Sequence, residues 1–140
     1  MPTEAIKDDP FGYLKRLSYT SDTMVRQMIA DRDMVHREYG RLFDPDNLHR
    51  LSAKDFKGFL LYENNRHWWG IHRQQKSQTA DMFRLRQALG VLLDESQSLV
   101  TRLDWIIPRS GPKPVPGLGP AVITPILHVV YPYTYGVWNS

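Results

Sequence analysis

The sequence contains no cysteine, which excludes disulfides, zinc–thiolate centres and cysteine nucleophiles. No apolar run is long enough to cross a bilayer, and the start, Met1 to Asp8, lacks the basic and apolar segments of a signal peptide. A cytoplasmic location with no membrane partner is therefore expected. There is no Walker-type phosphate loop, no Gly-x-Ser-x-Gly elbow, no internal repeat and no low-complexity segment. Asp and Glu are scattered, so a metal-dependent nuclease centre cannot be assembled and no complete catalytic constellation emerges. His67 and His72 are five residues apart, off the i, i+4 spacing that pairs histidines on one helical face, and no carboxylate accompanies them. Neither a metal nor a cofactor is expected.

What is present fits a single helical domain spanning residues 1–140. Hydrophobic residues make up 41% and charged residues 24%, a soluble globular balance. A net charge of +3 permits a nucleic-acid partner without requiring one. An all-α fold is expected, a compact bundle of about six helices.

A short helix is predicted over 9–18, capped by Asp9, with Phe11, Leu14 and Leu17 on one side. A longer one follows over 22–42, where Met24, Met28, Val35, Tyr39 and Leu42 recur at helical spacing. Its opposite face mixes Arg26, Asp31, Arg32, Asp33, Arg37 and Glu38, the pattern of a solvated surface. Residues 44–47 read as a turn. Ser52 is placed to cap a third helix reaching about Tyr62, with Phe56, Phe59 and Leu60 inside. A fourth is predicted over 79–95 on Met82, Leu85, Leu89 and Leu92, its apolar face widened by Phe83 and Leu93. A fifth spans 98–107 on Leu99, Leu103 and Ile106.

Between the third and fourth helices lies the most unusual composition in the chain. Residues 64–76 hold three fixed cations (Arg66, Arg73, Lys76), two histidines, four amides and the pair Trp68–Trp69. Rings interleaved with cations suit stacking on bases and gripping phosphates. Adjacent tryptophans point to different sides, so at least one is expected in the core. Trp68 is the candidate for a nucleic-acid contact, and a solvated rim around a core residue is the alternative.

The stretch around which the rest is arranged is Val115 to Val130. Gly117 and Gly119 precede an apolar segment of helical length, and glycines there let the backbone turn tightly and approach a neighbour closely. The free N–H groups and positive dipole end of the new helix form a site for a phosphate. Arg109 and Lys113 lie in the Pro/Gly-rich connection just before it. Pro125 fits the helix best close to its first turn, and His128, set among apolar neighbours, reads as a hydrogen-bonded core residue.

The Val-Pro-Gly-Leu-Gly turn, the apolar run, Tyr131-Pro132 and the closing Tyr-Gly-Val-Trp-Asn at 135–139 resemble the helix-hairpin-helix DNA glycosylase superfamily. The resemblance covers residues 115–139 and implies a C-terminal helix-hairpin-helix unit with Gly117 and Gly119 as the hairpin glycines. Asn139 then stands where the family has its catalytic aspartate, and Ala121 where some members carry a nucleophilic lysine. Asparagine is neutral and cannot act as a base, and alanine forms no Schiff base. The resemblance thus implies a binder more than a cutter. The chain is also similar, loosely, to N-terminal regions of bacterial restriction- and defence-associated proteins, in which a recognition module precedes a separate motor or nuclease.

Because Ser140 follows directly on a dense apolar-aromatic stretch, the chain is expected to be part of a longer protein, with a downstream domain or partner chain covering that surface. The expected function is binding of nucleic acid, duplex DNA foremost, through the Gly-x-Gly turn and nearby cations. Two alternatives stand beside it: a base-excision enzyme with an atypical site at Asn139, and a helical protein-interaction domain.

Overall fold

The computed structural model describes residues 10–135, with side chains from residue 23 onward. Among the described residues it is all-helical, without strands. The predicted cap Asp9, the apolar face of Phe11, Leu14 and Leu17, and Asn139 lie outside what is described.

Helix α1 runs without a break over Pro10–Leu42, joining the two helices expected there. Nothing in residues 17–22 is a glycine or proline, and serine or threonine inside a helix costs only about half a kcal/mol relative to alanine. The chain divides into two compact units, one ending at Met34 and one beginning at Val35. In the first, Met24 and Met28, expected on a buried face, are exposed, as are Ile29 and Met34. Gln27 donates to Asp31 one turn on at 2.9 Å.

The second unit holds the core. Its helical spacing places Val35 and Tyr39 inside, as predicted, and Phe43 follows them. Asp44 then caps a 3-10 helix over Pro45–Arg50, accepting from the Asp46 amide at 2.9 Å. Ser52 caps α2 (Ala53–Phe59) through the Asp55 amide at 3.1 Å. That helix stops at Phe59, short of the expected Tyr62, and a single turn, α3 (Tyr62–Asn65), follows. The two asparagines cause the stop. Asn64 donates to the Gly58 carbonyl and Asn65 to the Phe59 carbonyl, both at 2.8 Å, pairing acceptors that a continuing helix would have used.

Helix α4 (Gln75–Thr79) leads to α5 (Met82–Leu92), which Asp81 caps through the Arg84 amide. Leu85, Ala88, Leu89, Leu92 and Leu93 are fully enclosed. Phe83, expected to widen that face, is 72% exposed, since it lies off the stripe that 85, 89 and 92 define. Ser98 caps α6 (Leu99–Ile106) through Thr101 at 3.1 Å.

Helix α7 (Pro120–Val130) is mostly buried, with Val122, Ile123, Ile126, Leu127 and Val129 inside. Pro125 sits in its second turn. The partner it leaves unbonded, the Ala121 carbonyl, belongs to an exposed residue and can be hydrated. The backbones of α1 and α7 come so close that a β-carbon on Gly40 would lie 2.9 Å from the Val129 carbonyl oxygen.

The rings of Tyr39, Phe43, Phe56 and Phe59 meet edge to face, at centroid distances of 4.8 to 6.2 Å, and join α1 to α2. Arg102 is 3% exposed, yet it donates to the Gln97 and Leu92 carbonyls, Glu95 and the Tyr135 hydroxyl. Tyr131 donates to the Leu93 carbonyl at 2.8 Å. Together these bonds fasten α6 and the segment after α7 to the end of α5.

Candidate nucleic-acid interface

The glycine turn is built as its composition requires. Gly117 has φ +83, a left-handed conformation that other residues adopt only with strain. It also sits where a side chain has no room, since a β-carbon would lie 2.8 Å from Cβ of Gln74. Its carbonyl accepts from Nε2 of Gln78 at 2.7 Å, and Gln78 is itself buried. Gln74 and Gln78 belong to the segment that carries Arg73 and Lys76, so the turn rests directly on the basic stretch more than thirty residues upstream.

Leu118 anchors the turn in the core, and Gly119 forms the N-cap of α7 with extended backbone. No side chain caps this helix end. Pro120 has no N–H, and the Val122 and Ile123 amides both donate to the Gly119 carbonyl, at 3.1 and 2.9 Å. The amides left for an outside acceptor are those of Gly119 and Ala121, fewer than the full set a helix start offers. A β-carbon at Gly119 would meet open space, so this end of the helix faces outward.

The expected cations divide into two groups. Arg73 and Lys76 are exposed on the segment the turn packs against. The Arg73 guanidinium lies along Gly70, 3.5 Å from where a β-carbon of that glycine would stand. Arg66 is exposed at the end of α3, in a left-handed conformation at φ 59. Arg109 and Lys113 are exposed on the loop 107–119 leading into the turn.

Of the two tryptophans, Trp68 is the core residue, 6% exposed and tilted against Phe59 at 5.8 Å. Its expected role at the interface is corrected accordingly: the buried ring has no face for a base. Asn65 fixes this outcome, because its side-chain oxygen accepts from the His67 and Trp68 amides at 2.9 and 2.8 Å and turns the chain inward. The next residue, Trp69, is 75% exposed and stacks on Tyr62 with centroids 3.8 Å apart and planes 12° from parallel. Trp68 also packs edge-on to His67 and His128, and His36 meets His128 at 4.9 Å. Burial, and secondarily the charge of His128, holds the His67 imidazole below its ordinary value. His128 is hydrogen-bonded, as predicted, with Nδ1 2.8 Å from the Tyr135 carbonyl, but it is half-buried and not a core residue. Among the described residues no group of His, Asp and Glu could hold a metal ion.

One signal in the sequence marks this surface and is independent of any motif. No Asp or Glu occurs between residues 64 and 80, nor anywhere after Asp104. The two acid-free segments are those the Gln78–Gly117 bond joins. By contrast, the groove of about 490 Å³ beside α1 and α2 is lined by both signs, Arg41, Arg50 and Lys54 with Glu38 and Asp55, and does not suit a polyanion.

No family model, curated protein or solved structure matches the chain. Among the described residues no helix is long and apolar enough to cross a membrane.

Proposed function

We propose that the protein binds nucleic acid, with duplex DNA as the principal ligand, by gripping phosphates between the uncapped start of α7 and the cations of the 73–76 segment. The observation that carries this reading is the seating of the Gly117 turn on Gln74 and Gln78. It brings a helix end with unpaired amides beside a basic, acid-free surface, and each alone would be a weak anion site. The resemblance of residues 115–139 to the helix-hairpin-helix superfamily points the same way. Asn139 in the aspartate position favours binding over base excision.

Titrating duplex affinity against salt tests the proposal. Phosphate contacts release counterions, so log K should fall linearly with log salt, with a slope near −0.9 per contact. Lys76→Ala should make that slope shallower by about one contact. Gly119→Asp adds a carboxylate at the helix start where there is open space, so the fold should survive and affinity should drop. Absence of binding by the wild-type chain at low salt would end the reading, and equal binding by a folded Gly119→Asp variant would remove the helix end from it.

A further inference from the structure

The exposed Tyr62–Trp69 stack is not used by a phosphate grip, and exposing a large indole to water is unfavourable unless something covers it. Trp69 is not a loose surface ring. Tyr62 backs one face, and the neighbouring Trp68 is locked into the core by its ring packing and by the Asn65 bond to its amide. The outward direction of residue 69 is thereby imposed. A shallow groove of about 280 Å³ runs beside the stack, lined by Leu61, Glu63, Gly70 and His72 together with the two rings. Arg73 lies against the Gly70 edge of this groove.

We infer that this stack is a platform for an unpaired nucleobase, so that the preferred ligand is duplex DNA that exposes one unpaired base. The inference rests on the nucleic-acid reading above and adds to it a preference among DNA forms. An occupant that combines a flat ring, to cover Trp69, with negative charge, to meet Arg73, fits both features. A nucleotide has both. A paired base inside a duplex has its two faces covered by its neighbours and cannot reach the indole, whereas an unpaired base can. Glu63 is the acid in this lining; it would face the base edge, where it can accept from an amino group, while the phosphate lies on the Arg73 side.

Three probes test this: a single-stranded oligonucleotide, a duplex with one unpaired base, and the fully paired duplex. The wild-type chain should bind the duplex with one unpaired base more tightly than the fully paired duplex. Trp69→Ala should lose about tenfold or more on the first two and little on the paired duplex. Trp69→Phe keeps a ring and should recover most of the loss, while Gly119→Asp should weaken all three. Trp69 is largely exposed, so both Trp69 variants should remain folded, Trp69→Ala losing only the stack on Tyr62. Equal affinity of wild type and Trp69→Ala for every probe would overturn the platform while leaving the phosphate grip standing. Failure of the wild type to bind any probe at low salt would overturn both.

Discussion

At the scale of single residues, Arg102 carries more of the architecture than any other charged group described. Its guanidinium is withdrawn from water and bonded to three carbonyls (Leu92, Gln97 and Ser98), Glu95 and Tyr135. Truncating such a group leaves acceptors such as the Leu92 carbonyl unpaired. Arg102→Ala should therefore lower the unfolding free energy by about 3 kcal/mol, measured by denaturant titration. A sign of its role lies in the spacing: 99, 102, 103 and 106 form one stripe of α6, and a charged residue within an apolar stripe demands partners. Trp68 and Trp69 show the opposite limit. Their alternation is evident from adjacency, but which ring faces inward depends on the buried Asn65 amide, a contact no periodicity encodes.

At the scale of elements, the starts at Ser52 and Ser98 were legible because both are side-chain caps with local chemistry, whereas α5 starts behind the cap Asp81 and runs Met82–Leu92, not over the expected 79–95. Stops were harder to read. Helix α2 ends because two asparagines fold back on it, and α1 continues where two helices were expected because serine and threonine interrupt a helix only weakly. The glycine turn was legible as a turn, whereas its partner, α4, was not, since Gln74 and Gln78 are polar residues without an apolar pattern. Gly117→Ala tests that docking directly. It combines a left-handed backbone with a 2.8 Å approach to Gln74, and should destabilise the fold by about 3 kcal/mol. If the loss measured by thermal or denaturant unfolding is below 1 kcal/mol, the turn is not seated as described.

At the scale of the whole molecule, charge is arranged in sequence blocks that folding brings together. The acid-free segments 64–80 and 105–135 meet at the Gln78–Gly117 bond, the Gln74–Gly117 approach and the Trp68–His128 ring contact, while the mixed charges of α1 form an ordinary solvated helix face. The all-helical class followed from periodicity. The assembly of the interface required long-range contacts, which is why the residues could be named but not grouped. Two titrations should bound the stability of this assembly. The His67 pKa is lowered in the fold, so on acidification the unfolded chain takes up the proton first. Stability should decline as pH falls from about 6.5, the ordinary histidine value. Tyr39 is raised from 10.0 to about 12, by burial first and then by the nearby charges of Glu38 and Asp55. The unfolded chain releases that proton first, so stability should decline again as pH rises from 10 towards 12. Unfolding midpoints across pH should form a plateau between these edges, and His67→Gln should flatten the acid edge.

The adjacent tryptophans give the molecule a built-in optical reporter. Trp68 is shielded and should emit towards the blue, resistant to acrylamide, while Trp69 is wetted, quenchable and close enough to Tyr62 to receive its excitation. The difference spectrum between wild type and Trp69→Phe isolates the wetted indole, so occupancy of one ring can be followed without attaching a dye.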